Sequence, residues 1–184
     1  MIEEINIKID HERLLNDYIR LNINMLLEKH SRQVAVQHRG VVGDQQLTDS
    51  CNSLAFNWDA YDPNIHDEPP LRQEILKEDI FNITCDLFKE TYIEDVINLL
   101  NDQYKVYRGR FMMMKFKTCM SMHVDVTKRI HIPIITNPDA FMVINDNIYR
   151  LEVGRVYITD TTYPHTAVNA GKKNRVHLVF CFDQ

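Results

Sequence analysis

From Tyr104 to Gln184 the chain is a succession of short strand-forming segments, and this succession restricts the possible folds more than any other feature. YRGRFMMMKF, RIHIPIIT, AFMVIN, RVYITD and RVHLVFCF are rich in β-branched and aromatic residues. Turn signals divide them at Asn137-Pro138, Asp146-Asn147, Gly154 and Ala170-Gly171. Many short strands between such turns suit a β-sandwich or jelly roll.

The first 103 residues read differently. EINIKID (3–9) alternates apolar and polar residues, which predicts a short strand. Asp10 is placed to cap a helix running to about residue 29, with Leu14, Leu15, Tyr18, Ile19 and Leu26 at helical spacing. A second helix is predicted over 91–101, with Thr91 as N-cap and Glu94 completing a capping box. Residues 57–72 (NWDAYDPNIHDEPPLR) hold three prolines and read as a long loop of the kind that forms lids and binding loops. Trp58 and Pro69-Pro70 either border a substrate groove or, for Trp58, pack on the sheet. The expected fold is mainly β with flanking helices, in one domain spanning 1–184. Residues 1–103 would supply helices, strands and the substrate loop, and 104–184 the jelly-roll core with the metal site.

A net charge of −5 argues against a nucleic-acid partner. Cys51, Cys85, Cys119 and Cys181 form no C-x-x-C pair, so a zinc knuckle or thioredoxin motif is not expected. They read as reduced, mostly buried thiols of a cytoplasmic protein. The segment MIEEINIKIDHERLL is acidic and lacks the apolar run of a signal peptide. Nothing approaches the roughly 18 apolar residues of a membrane helix, so no membrane partner is expected.

Four of the eight histidines, His123, His131, His165 and His177, lie in the strand-rich half. His123 and Asp125 form an H-x-D pair, whose side chains share one face if the segment is a strand. His165 follows after the strand RVYITD. Two imidazoles and a carboxylate can hold a metal on one face and leave three positions open, the geometry of non-haem Fe(II) oxygenases. The dipeptide pattern alone would equally describe a surface His and Asp at a strand end. Arg175, ten residues after His165, opens the apolar strand RVHLVFCF. A buried guanidinium there requires a carboxylate, from a ligand or from an Asp or Glu of the chain. Arg129 and His131 share a strand face opposite Ile130, Ile132 and Ile134. His131 is either a hydrogen-bonded core histidine or a cofactor contact, and His177 a core or supporting histidine. His11, His30, His38 and His66 are expected at the surface, and Met112, Met113 and Met114 in a strand core.

Taken together, SMHVDVTKRIHIPIITNP (121–138), LEVGRVYITDTTYPHTAVN (151–169) and RVHLVF (175–180) resemble the aspartyl/asparaginyl β-hydroxylase-like branch of the Fe(II)/2-oxoglutarate oxygenases. The pattern there is a metal His, a short turn, an R-x-H strand, a G-x-(V/I)-x-x-x-D stretch, a second metal His and an Arg ten residues later. All occur here in order, and the combination is far more specific than any part. The resemblance covers 104–184 well and 1–103 loosely. It implies a double-stranded β-helix, a cupin-like jelly roll. It also implies that His123, Asp125 and His165 are the catalytic metal ligands. Some members of the branch lack the acidic ligand, but Asp125 stands at its place. Arg175 would bind the distal carboxylate of 2-oxoglutarate, helped by Arg129 and His131. Asp160, Thr161 and Thr162 are candidates for orienting the imidazoles. The implied activity is hydroxylation, with Fe(II), 2-oxoglutarate and dioxygen, of an amino acid or of an Asp, Asn or Pro side chain in a peptide or protein. The alternatives are a cupin-like metal-containing binding or structural module without turnover, and a cupin-type isomerase or dioxygenase. Binding of 2-oxoglutarate separates the first reading from both.

Overall fold

The structure, a computed structural model, describes residues 1–57, 60 and 62–183; Trp58 lies outside them. In chain order the first half contributes β1 (Ile2–Ile5), α1 (His11–Arg20), α2 (Ile23–Lys29), β2 (Gln33–Ala35), β3 (Gln37–His38), α3 (Gln46–Asp49), β4 (Ile83–Thr84) and α4 (Tyr92–Asn101). The second half contributes β5 (Val106–Met114), β6 (Thr118–Cys119), β7 (Arg129–Ile135), β8 (Ala140–Ile144), β9 (Asn147–Tyr149), β10 (Val156–Thr159), β11 (His165–Asn169) and β12 (Arg175–Phe182). A 3-10 turn at Glu78–Ile80 precedes β4. Among the described residues, no helix is long and apolar enough to cross a membrane.

The strands form a large sheet in the order β1-β10-β7-β12-β5-β2 and a small one in the order β6-β11-β8-β9. Each successive pair is antiparallel. Met114 and Tyr157 of the large sheet pack against Met142, Ile144 and Ala167 of the small one. This is the jelly-roll architecture that the strand run predicts, and the double-stranded β-helix that the family resemblance implies.

The larger apolar core lies outside this sandwich. Alternation along β7 and β12 sends Ile130, Ile132, Ile134, Val176, Leu178, Phe180 and Phe182 to one face of the large sheet. There they meet Leu14 and Tyr18 of α1, Leu27 of α2 and Ile93, Val96 and Leu100 of α4. The opposite face, toward the small sheet, carries Arg129, His131, Arg175 and His177. Burial of the outer face therefore stabilises the large sheet and leaves its inner face free for polar groups.

β5 does not keep regular alternation. Arg108 has φ 52°, and the pairing with β12 shifts between Val179 and Cys181, which makes a β-bulge. Tyr107, Arg108 and Arg110 consequently all line the space between the sheets. Gly109, inside the bulge, has its N–H on Gln37 Oε1 at 2.9 Å. A Cβ at Gly109 would lie 2.4 Å from the Phe180 ring and 2.6 Å from Val36.

The helices differ from expectation at their ends. Asp10 caps α1 as predicted, accepting from Arg13 N at 3.1 Å. The helix then breaks, because Asn22 adopts φ 52°, a conformation open to Asn at little cost. At α4 the predicted capping box is rearranged. The Thr91 hydroxyl donates to Phe88 O (2.6 Å), Glu94 takes Glu90 N (2.8 Å), and Asp17 of α1 caps Tyr92 N (2.7 Å). β1 ends at Ile5, short of the predicted residue 9. His38, expected at the surface, is buried in β3, and Met112 turns toward the space between the sheets.

Gly109→Ala is expected to cost about 1–3 kcal/mol by overpacking. A shift of the urea midpoint checks this; an unchanged midpoint would mean that the bulge yields without cost.

Candidate functional site

His165 opens β11, and the segment carrying His123 runs beside it. The two residues exchange main-chain hydrogen bonds, His123 N to His165 O at 3.0 Å and His165 N to His123 O at 2.9 Å. Directly opposed antiparallel residues project to the same side, and the ring centroids are 4.2 Å apart. His123 Nδ1 lies 2.8 Å from Ser121 O, and His165 Nδ1 lies 3.0 Å from Tyr163 O. A carbonyl only accepts, so each Nδ1 carries the proton and each Nε2 presents a lone pair. Burial lowers the pKa of His165 below the usual histidine range, which favours the neutral, metal-binding form.

Asp125 completes the set, although not as the H-x-D reading expected. Beyond its bridge to His165, the segment around His123 is irregular rather than a strand. Asp125 is aimed by its own N–H, which donates to Thr161 O at 2.9 Å, and by Arg129 Nε, 3.3 Å from Asp125 Oδ2. The same oxygen lies 3.6 Å from His165 Nε2. Ligand atoms of His123, Asp125 and His165 all lie within 4.8 Å of one another, close enough to take one cation.

The three open onto a cavity of about 1030 Å³ between the sheets. Arg175 and His131 line the same cavity, and both are buried. No ion pair between Arg175 and a carboxylate occurs among the described residues. Its Nε lies 2.9 Å from His177 Nε2 and its NH2 2.9 Å from His177 Nδ1, and His177 Nδ1 also lies 3.2 Å from His131 Nδ1. A guanidinium only donates, so His177 accepts from Arg175. Burial holds both histidines well below their usual range, with the Arg175 charge adding to the effect. Burial also pulls the Arg175 guanidinium down to about 10, still charged near neutrality.

With this arrangement in place, the family model described as aspartyl/asparaginyl β-hydroxylase matches residues 74–184, more than half of the chain. The chain belongs to the aspartyl/asparaginyl β-hydroxylase family.

No curated protein matches it. Solved structures give partial likenesses. An oxidoreductase of the 2-oxoglutarate–Fe(II) oxygenase family from Burkholderia pseudomallei is 16% identical, with a TM-score of 0.44 over 51% of this chain and 58% of that one. A protein from Photorhabdus luminescens is 20% identical, with a TM-score of 0.37 over 41% of this chain and 62% of that one. A cupin domain from Bordetella pertussis is 14% identical, with a TM-score of 0.37 over 43% of this chain and 82% of that one. The chain thus covers less than two thirds of the first two.

In this β-hydroxylase family member the sequence reading missed Glu78, which the 3-10 turn holds over the cavity. Arg129, expected to help hold a cosubstrate, places NH2 and NH1 on Glu78 Oε1 (3.0 Å) and Oε2 (3.1 Å). Thr127 Oγ1 donates to Oε2 at 2.6 Å, and Arg108 pairs with Oε1. The structure therefore gives Arg129 to Glu78 and Asp125. A buried arginine on a strand signals that some carboxylate must exist, but not which one.

The expectation that Asp160, Thr161 and Thr162 orient the imidazoles is also corrected. Asp160 pairs with Thr162 and Lys128, and the Thr161 hydroxyl donates to Thr127 O. The carbonyls of Ser121 and Tyr163 do that work. Pro69 and Pro70 do not line the cavity, whereas Leu54, Ala55, Ile75 and Leu76 do.

Burial alone would push the Glu78 carboxyl up, but the Arg129 guanidinium, the Thr127 hydroxyl and the Arg108 guanidinium outweigh it and leave it at about 2. Unfolded, the group titrates near about 4.3. Its contribution is therefore fully present above that pH and is lost as pH falls toward 2. Glu78→Gln is expected to cost about 3 kcal/mol at pH 7 by stranding two buried guanidinium groups, and to flatten the stability profile between about pH 4.3 and 2. Denaturant melts across that range check this; a variant with the wild-type acid limb would show that Glu78 is not the titrating group.

Proposed function

We propose that the chain is an Fe(II)- and 2-oxoglutarate-dependent hydroxylase that oxidises a C–H bond of an amino acid, or of an Asp, Asn or Pro residue in a peptide or protein. The observation that carries this reading is the sharing of one cavity by the His123, Asp125 and His165 donors and by Arg175, a buried cation with no carboxylate partner among the described residues. The family description supports the aspartyl and asparaginyl substrate class.

The donor set fits the metal. Two imidazoles, each fixed at Nδ1, and one carboxylate suit Fe(II) and leave the cavity side open for other ligands. Bound there with 2-oxoglutarate, Fe(II) supplies the oxidation: dioxygen gives one oxygen atom to the substrate C–H and one to succinate, with carbon dioxide released.

The chain's own groups supply binding and orientation. Arg175 offers its fork to the distal carboxylate of 2-oxoglutarate, and His177 fixes that fork through Nε. His131, kept neutral by burial, offers a second polar contact in the cavity. Arg129 turns the Asp125 carboxylate and, held by Glu78, does not leave it. Ile75 and Val124, exposed yet lining the cavity, mark its rim, where substrate contact would exclude water.

Titrating anaerobic protein with Fe(II) and 2-oxoglutarate is expected to give the visible charge-transfer band of the chelate, and His165→Ala to abolish it. Arg175→Ala is expected to raise the 2-oxoglutarate requirement roughly thirtyfold, for about 2 kcal/mol of charge-assisted hydrogen bonding. Fe(II) binding without the band would favour a cupin-like metal-binding module. An unchanged requirement in the Arg175 variant would move the cosubstrate anchor elsewhere.

A further inference from the structure

Arg110 is a second buried cation of the cavity that forms no ion pair with a carboxylate among the described residues. It is 6% exposed, its Nε is buried with no hydrogen-bond partner, and its NH1 reaches only the neutral Gln33 Oε1, at 3.3 Å. Its neighbours Arg108 and Arg129 are cations that disfavour its charge further. Glu78 is engaged by those two arginines and forms no ion pair with Arg110. Asp79 lines the same cavity and forms none either. An unpaired buried guanidinium costs stability, so its presence calls for a compensating ligand.

The seat is separate from that of Arg175. Arg110 stands opposite Val179 of β12, which stands opposite His131 of β7. Arg175 lies four residues earlier on β12, opposite Met114, about 13 Å along the strand. Arg108 and Arg129 act on the charge of Arg110 and Arg175 does not, so the Arg110 and Arg175 guanidinium groups stand apart. If Asp125 holds a metal, its charge is committed as well.

We propose that Arg110 is a second anion seat in this cavity and takes a carboxylate of the molecule to be oxidised. This rests on the hydroxylase reading for the role of that molecule, but not for the seat itself. The carboxylate belongs either to an acidic side chain or to a free carboxyl terminus, and Arg110 reads the chemistry that both share.

The test is calorimetry on anaerobic, Fe(II)-loaded protein, with and without saturating 2-oxoglutarate. Three probes are used: N-acetylaspartate amide with a side-chain carboxylate, N-acetylasparagine with a terminal one, and N-acetylasparagine amide with neither. The wild type is expected to bind at least one carboxylate probe ten times or more tightly than the neutral probe, and the probe preferred names the source. Arg110→Gln should remove that preference while leaving 2-oxoglutarate affinity within twofold, and Arg110→Lys should restore part of it. Without ligand, Arg110→Met should melt no lower than the wild type, because it removes an unpaired charge. Equal binding of all three probes overturns the proposal, as does a tenfold loss of 2-oxoglutarate affinity in Arg110→Gln. A melting temperature well below wild type in Arg110→Met overturns it too. A wild type that binds no 2-oxoglutarate sinks the hydroxylase reading alone, since the preference among probes is then read without it.

Discussion

Two hydrogen bonds between the main chains of His123 and His165 underlie everything the site can do. They join a segment with no regular structure of its own to the first residue of β11, and they set both imidazoles on one side of the junction. The carbonyls of Ser121 and Tyr163, each two residues upstream of its histidine, then fix both rings in the same tautomer. Positions and protonation therefore come from backbone, which substitution of neighbouring side chains does not remove. Only the carboxylate depends on side-chain chemistry, through Arg129 and, behind it, Glu78.

Such a site needs a jelly roll whose interior is not filled by its own apolar side chains. A cavity of about 1030 Å³ between the sheets forgoes much of the burial that a sandwich normally draws on. Here the compensation lies on the outer face of the large sheet, where Phe111, Phe180 and the isoleucines of β7 pack under α1, α2 and α4. The helices thus let the inner face carry arginines and histidines. Electrostatics then limits what that face can hold. Arg108 and Arg129 share Glu78, while Arg110 and Arg175 form no ion pair among the described residues. The cavity is built with a surplus of positive charge, which suits anionic ligands.

Strict alternation made part of this legible from sequence. In RVHLVFCF the even and odd positions separate cavity from core, so Arg175 and His177 could be placed together, as could Arg129 and His131 in RIHIPII. Legibility failed wherever one residue breaks a period. The bulge at Arg108-Gly109 turns Tyr107, Arg108 and Arg110 to one side, whereas regular alternation would have separated Tyr107 from the two arginines. Asn22 ends a helix that its apolar spacing would continue. Thr91 and Glu94 have the spacing of a capping box, yet Asp17, distant in sequence, caps that helix. His165 and Asp125 were chosen for their chemistry, but the main-chain bonds that join His123 to His165 and Asp125 to Thr161 are long-range, and no local pattern encodes them.

Glu78 shows most clearly where sequence reading stops. It sits in a 3-10 turn of three residues, in a stretch (LKEDIF) of mixed apolar and charged residues with no period that points to a site. Its partners come from strands β5 and β7 and from Thr127, 30 to 51 positions away. The family match begins at residue 74, just ahead of it, so the matched region contains this carboxylate together with the triad that it supports. The loop leading into the turn brings Ile75 and Leu76 to the cavity edge, beside Leu54 and Ala55. One ion-pair cluster therefore does two things at once. It holds Asp125 in line through Arg129, and it fastens the segment that shapes the entrance, so that loss of the cluster would disturb candidate metal site and entrance together.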